Sequence, residues 1–399
     1  MPRHSVHLTH HVARQSGGAS RYSPTRRAAV LALISHACLV PPSPAALPRT
    51  VQLPLEQAAG GVLTTGLFID GERFRVIIDS GSPYLVLPAE EACERQPPRL
   101  SAFGCAAPGQ FRPTGLASTS EQYGVLRGRV DWLTGDLAFG ETELGMEADG
   151  RLFLRLIFEA RQQAGGPVVF GAADRNVMGQ SGGALLGLIR DVNREPISTI
   201  PQAELRPTAL TQLGLSAFCI DAPRRTLTLS STPLIGAAND ALPLVDPRPY
   251  GDGVEHVCCR VDGDELVVDG VRLKSRRPIL CVFDSGLTGI CLSQSLVDEL
   301  GLGRRVTPQA GQRDGGVKSL RVPLRSERGR RVLLDGARDS SPYFYVQAVS
   351  LDWFVDTTDG PHVVAVGQCV LARGALSVDL DGSRALWRPG ATLDSTKTV

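Results

Sequence analysis

The stretch "FRVIIDSGSPYLVLP" (residues 74–88) sets two apolar runs around Asp79-Ser80-Gly81-Ser82, and the Asp79 carboxylate has no charged neighbour nearer in sequence than Arg75. One Asp-Ser-Gly means only a turn, because its side chains bond nearby backbone and its glycine tolerates positive φ. A second copy changes the reading. "RRPILCVFDSGLTGICLSQSLVDELG" (residues 276–301) puts Asp284 in the same frame: apolar strand, Asp-Ser-Gly, a few residues, apolar strand, short helix. Each acid is followed by an apolar pair closed by glycine. These are Leu185-Leu186-Gly187 and Ala365-Val366-Gly367, 108 and 83 residues after their aspartates. The chain therefore reads as two related lobes, residues 51–235 and 236–392, joined through "TPLIGAANDALPLVDPRP", with a tail at 393–399.

Most of the chain follows the same grammar of short strands and turns. "GVLTTGLFIDGERFRVIIDSG" predicts a hairpin turning at Asp70-Gly71 and running into the first acid. "GRVDWLTGDLAFG", "RTLTLSS", "DELVVDGVRLKS" and "RRVLLDG" read alike, while helices are expected only in pieces such as "PAEEACERQ" and "SQSLVDELG", the latter opened by Ser293 and closed by Gly301. With 43 glycines and 28 prolines in 399 residues, the expected fold class is all-β.

The first 50 residues are a separate object: six arginines and no acid, leaving 36 basic against 41 acidic side chains in the other 349 residues, a net of −5. Within them "TRRAAVLALISHACLVPPSPAA" carries an apolar run over residues 28–40, too short to span a bilayer but suited to a signal segment. An acid-free head followed by a twin-arginine apolar segment also resembles a two-part plastid transit peptide. The expected destination is non-cytosolic: the secretory pathway, extracellular space or vacuole, or alternatively the thylakoid lumen, with no stable membrane span after processing. The short interval before the first predicted strand leaves little room for a pro-segment. His4, His7, His10 and His11 have ligand-like spacing but lie in this head, so no metal is expected. No basic patch interleaved with aromatics appears and the formal charge is only +1, which argues against nucleic acid. Eight cysteines outside the head permit disulfides, their pairing open.

If the two lobes face each other, Asp79 and Asp284 meet on tight turns whose glycines, Gly81 and Gly286, permit close approach. Carboxylates a few ångströms apart cannot both ionise, so the pair shares one proton. One member can then take a proton from water while the other donates to a carbonyl. Ser80 and Ser285 can cross-link the turns by hydroxyl-to-backbone bonds, and Ser82 can bond the Asp79 carboxylate.

Here the sequence resembles the pepsin-like aspartic proteases, over nearly all of residues 60–392. The shared features are apolar-apolar-Asp-Ser-Gly in each half, the partner strand ending in glycine, and "QYGVLRGRVDWLTGDLAFG", which is similar to the flap hairpin with Tyr123-Gly124 placed 44 residues past Asp79. "VVFGAADRN", "GGALLGL" and "LSAFCID" look like the plant-type branch. The resemblance implies a bilobal fold, an endopeptidase with catalytic Asp79 and Asp284, loop support from Ser80, Gly81, Ser82, Ser285, Gly286 and Thr288, and substrate contacts from Tyr123 and Gly124. It also implies an extended polypeptide substrate, a monomer, no cofactor, a small loop disulfide at Cys93 and Cys105, and a disulfide at Cys219. Several positions depart from the family pattern. Leu287 stands where a hydroxyl residue bonds the second aspartate, Val86 where a tryptophan braces the flap tyrosine, and Gln368 where an acid is common; Gly289 and Cys291 also differ. Loss of the hydroxyl bond should raise the second acid's pKa and move the optimum toward neutrality.

Two other readings compete. An inactive relative would keep the fold and bind a partner. "GQSGG" (residues 179–183) satisfies the G-x-S-x-G elbow of serine hydrolases, but the upstream histidines all lie in the head and alternating long helices are lacking, so a Gly-Ser loop is expected there.

Overall fold

The computed structural model describes residues 49–390 except 59–60, 96–103, 124–125, 140, 147–151, 158–165, 179–182, 191–205, 238, 251–252, 304, 307–315 and 350–359. Residues 1–48 of the segment expected to be a targeting head, with their histidines, Gly124, the "GQSGG" run up to residue 182 and the tail lie outside these residues, whereas Thr50, the last residue of that segment, opens the strand Thr50–Pro54. Among the described residues the chain is all-β with a few helices of at most six residues. None is long and apolar enough to cross a membrane.

The hairpin before the first acid forms as its sequence dictates. Strands Leu63–Ile69 and Glu72–Asp79 pair with Ile69 opposite Glu72, so Asp70-Gly71 is a two-residue turn. Both residues have positive φ, 51° and 87°, the combination that matches the twist of the flanking strands. Asp269-Gly270 makes the same turn at φ 50° and 81° between Glu265–Val268 and Val271–Lys274. Within "GRVDWLTGDLAFG" the described residues, 128–139, make no turn. They belong to one continuous strand, Leu126–Phe139, in which a Cβ at Gly135 would lie 2.5 Å from Ile69 Cγ2. The glycine there allows close strand packing rather than reversal. "RRVLLDG" likewise stays extended through Gly336 in strand Arg331–Ala337.

Two three-strand units carry the acids. In the first, Glu72–Asp79 runs parallel to Ala184–Gly187, which is antiparallel to Leu85–Pro88. In the second, Ile279–Phe283 runs parallel to His362–Val366, which is antiparallel to Ile290–Ser293. The middle strand of each thus comes from far downstream and separates two strands that are close in sequence. Five-residue runs such as "ILCVF" are buried throughout, as strands covered on both faces require, and each Val, Leu, Ile or Phe so buried contributes about 1.5–3 kcal/mol.

The closing glycines have a steric cause. A Cβ at Gly187 would lie 2.5 Å from the Ser82 carbonyl oxygen, and one at Gly367 would lie 2.3 Å from that of Leu287. Any side chain there would push the acid-bearing turn off its strand. The turns are tied down at the same point. Ile189 N–H donates to Ser82 O at 3.2 Å, and Gln368 N–H and Cys369 N–H donate to Leu287 O and Thr288 O, each at 2.8 Å.

The first unit lies in a nine-stranded sheet built from residues 56–187, the second in a five-stranded sheet built from residues 258–366. A further six-stranded sheet draws on both ends of the chain, in the order Thr50–Pro54, Thr226–Ser230, Ala217–Asp221, Gly374–Asp379, Arg384–Pro389, Leu242–Pro243. The connecting stretch "TPLIGAANDALPLVDPRP" is therefore more than a linker, since Leu242–Pro243 pairs with Arg384–Pro389.

Of the cysteines, Cys93 and Cys105 form a disulfide. Cys219, expected to be bridged, is a free thiol, as are Cys258, Cys259, Cys281, Cys291 and Cys369. Cys219 lies in a strand between Thr226–Ser230 and Gly374–Asp379, opposite Thr228 and Ser377, so no cysteine faces it in either neighbour.

Candidate active site

The Asp-Ser-Gly turns lie against one another. A Cβ at Gly81 would fall 2.6–2.8 Å from the Asp284 carboxyl atoms, and one at Gly286 would fall 2.6–2.9 Å from those of Asp79. Each turn thus offers its bare glycine to the other turn's carboxylate, and a methyl group at either position would displace it.

Four hydrogen bonds lock the pair. Ser80 N–H donates to Ser285 Oγ and Ser285 N–H to Ser80 Oγ, both at 2.9 Å. The hydroxyls pass their own protons on: Ser80 Oγ–H to Phe283 O at 2.8 Å, and Ser285 Oγ–H to Ile78 O at 2.7 Å. Both serines are fully buried. Every donor in this ring is satisfied, so the ring holds the carboxylates in place without leaving a buried polar group unpaired.

The carboxylates differ in what holds them. Asp79 Oδ1 accepts Gly81 N–H at 2.8 Å. Asp284 Oδ1 accepts two backbone donors, Gly286 N–H and Leu287 N–H, each at 3.0 Å. The residue that lacks a hydroxyl therefore still bonds the acid, through its main chain. Ser82 Oγ is buried without a well-aligned hydrogen-bond partner, although it lies close enough to Asp79 to lower its pKa. Thr288 supports the loop through its carbonyl, and Gln368, where the resemblance implied an acid, donates Nε2–H to Ser285 O at 2.6 Å.

Burial raises the pKa of both acids. For Asp79 the rise is opposed by Ser82, by Gly81 N–H, by the bond to Asp284 and by the charge of His256. For Asp284, burial and then the negative charge of Asp79 push the value up to about 8, against the pull of Leu287 and Gly286 N–H. The shift has the direction expected from the missing hydroxyl, but its causes are burial and the facing carboxylate. Asp284 therefore holds the shared proton over a wide pH range while Asp79 ionises first.

Aromatic side chains stand on both sides. Tyr123 ends strand Thr119–Tyr123, which pairs with Leu126–Phe139 in a hairpin closing at Tyr123 opposite Leu126. It packs on a cluster that includes Tyr84, Val86, Val130 and Trp132, with Tyr84 and Trp132 edge to face at 5.2 Å. The cluster holds a tryptophan, Trp132, although Val86 stands where the resemblance implied one. Trp132 Nε1–H is anchored on Thr119 Oγ1 at 2.9 Å. The Tyr123 hydroxyl is buried without a partner, and burial holds its pKa well above the ordinary range, with Glu121, Tyr84 and Asp79 adding to the effect. On the other side Tyr345 covers Gly289, where a Cβ would fall 2.5 Å from its ring, and burial pushes its pKa up to about 12, with Asp284 among the contributors. Gly289 is thus required by Tyr345, and Cys291 accepts a bond from Gln347 Nε2 at 3.2 Å on the same pair of strands.

Sequence reading missed two neighbours of the dyad, Tyr345 and His256. The out-of-pattern Gly289 was the available signal for the first. For His256 the signal is register: Phe283 N–H donates to Val257 O, which brings residue 256 alongside Asp284. Among the described residues no group of three or more His, Cys, Asp or Glu side chains could hold a metal. No protein-family model matches the sequence, and no characterised protein compared with it is significantly similar.

Proposed function

We propose that the chain is an aspartic-type endopeptidase of the bilobal pepsin-like class, its lobes being residues 51–235 and 236–392. The carrying observation is the facing pair of Asp-Ser-Gly turns, each glycine against the opposite carboxylate. The repeated three-strand unit around each acid and the tyrosine hairpin beside Asp79 support the same reading.

The unequal environments of the two acids support a division of roles. Asp79, whose anion Gly81 N–H, Ser82 and His256 favour, takes a proton from a water molecule as its oxygen attacks the scissile carbonyl carbon. Asp284 gives its proton to the carbonyl oxygen, so the tetrahedral diol forms without net charge. Collapse reverses the traffic: Asp79 passes its proton to the departing nitrogen and Asp284 recovers one from a diol hydroxyl. The C–N bond breaks, and the shared proton is restored. No metal or organic cofactor enters. An extended polypeptide is the fitting substrate, because backbone bonding in a cleft presents several residues at once. The Cys93–Cys105 bridge supports residence outside the cytosol.

Hydrolysis of an unstructured protein by wild type, Asp79→Asn and Asp284→Asn tests the proposal. Cleavage by wild type alone, blocked by a statine-type transition-state mimic, is expected. Equal inertness of all three from about pH 3 to about pH 7, the range over which paired carboxylates titrate, would favour the binding-module reading instead.

A further inference from the structure

The hairpin that carries Tyr123 has a second face. Residues alternate along paired strands, so Tyr123, Glu121 and Thr119 share one side while Gln122 and Ser120 share the other with Arg127 and Arg129. That outer side borders a polar cavity of about 730 Å³ whose lining includes Ser118, Ser120, Arg127, Arg129, Asp174 and Asn176. It differs in chemistry from the dyad: hydroxyls, an amide, two guanidinium groups and a single carboxylate.

Its charges are arranged unequally. Arg129 is committed to Asp131 through Nε at 2.9 Å and Nη2 at 2.7 Å, and Ser118 Oγ bonds the same carboxylate. The Asp174 carboxylate accepts Asn176 N–H at 2.9 Å and its Nδ2–H at 3.1 Å, while Asp174 N–H donates to Arg129 O. Asp131 is thus paired with a cation, while Asp174 is held in place by the uncharged donors of Asn176 and adds a carboxylate to this face. Arg127 differs. Its Nε is pinned to Ser120 Oγ at 3.0 Å, which orients the fork, and no carboxylate pairs with it among the described residues. Its remaining donors suit the two oxygens of a carboxylate.

We propose that this outer face is a recognition site for acidic side chains of the polypeptide substrate, with Arg127 as the principal contact. The inference deepens the proteolytic reading and rests on it, since the occupant is the chain that passes the hairpin. Acidic substrates then bind by a contact separate from the dyad, and specificity extends beyond the residues flanking the scissile bond.

The test uses the full chain with Asp284→Asn, so that binding is read without cleavage, and a synthetic peptide with a run of glutamates at one end against its glutamine counterpart. The glutamate peptide should bind roughly 3- to 10-fold more tightly at low ionic strength, the range for partly exposed charge-assisted contacts. The advantage should shrink at about 0.5 M salt, where screening is short-ranged. Adding Arg127→Gln should erase it and Arg127→Lys should keep part of it, with melting temperatures unchanged because the side chain is exposed. Equal binding of the two peptides, or an advantage that survives Arg127→Gln, would overturn the proposal. Inorganic phosphate binding more tightly than the glutamate peptide would overturn the polypeptide assignment. Failure of wild type to cleave the glutamine peptide bears on the proteolytic reading alone.

Discussion

Replacing Asp284 by asparagine should make the protein more stable at neutral pH, by an amount that grows with pH. In the folded chain the Asp284 pKa is pushed from 3.8 to about 8 by burial and by the facing Asp79 charge. Unfolded, the side chain ionises near its ordinary value. Between those two values the unfolded state binds fewer protons than the folded one, so stability falls as pH rises, by about 1.4 kcal/mol per pH unit for one fully coupled group. From about pH 4 to about pH 7 the loss reaches about 4 kcal/mol as an upper bound, and water entering the cleft would bring it nearer 2 kcal/mol. Asparagine keeps the shape and the acceptor for the Gly286 and Leu287 N–H groups but carries no charge, so the variant lacks this slope. Urea unfolding of both proteins across that pH interval reads the difference directly. The two should be nearly equally stable near pH 4 and diverge above it, the variant ahead. Parallel curves, or a variant that falls behind as pH rises, would refute both the raised pKa and the reason given for it.

Other perturbations probe the same architecture. Ser285→Ala removes the acceptor for Ser80 N–H and the donor to Ile78 O, leaving buried groups unpaired; a loss of about 1–3 kcal/mol in chemical denaturation is expected. Gly286→Ala places a methyl carbon 2.6 Å from Asp79 Cγ; proteolytic turnover should drop by about 100-fold, the penalty of an ångström-scale misplacement, while circular dichroism stays that of the parent. Replacing Cys93 and Cys105 by serine opens a loop spanning 12 positions of sequence; a cost of about 3 kcal/mol is expected in urea unfolding under oxidising conditions.

Much of the site was legible because its chemistry forces residue types at fixed offsets. Bare glycines at 81 and 286 let the two acid turns touch, and a Cβ at 187 or 367 would clash with the neighbouring backbone, so the pattern survives in sequence as repeated short words. The all-β class followed from the glycine and proline content and the recurring strand-turn segments, and Asp70-Gly71 forms the turn expected of it. What escaped were properties of pairing rather than of local sequence. Gly135 looks like a turn residue and is instead a gap in a 14-residue strand, made necessary by Ile69 of another strand. Cys219 looks like half of a bridge, yet its cross-strand neighbours are Thr228 and Ser377. His256 comes beside the dyad only through the register of strand Cys258–Arg260 with Ile279–Phe283, information that no spacing within one segment contains.

The sheet drawn from both ends of the chain has a temporal meaning. Ala217–Asp221 needs Gly374–Asp379 as its neighbour, and that partner follows more than 150 positions later. A nascent polypeptide must therefore carry an unfinished sheet edge until its last strands leave the ribosome, and slow closure between distant segments is expected to be the final step of assembly. Removing the closing strands would strip Ala217–Asp221 of its neighbour, so a truncation that takes Gly374–Asp379 should be felt first at that strand.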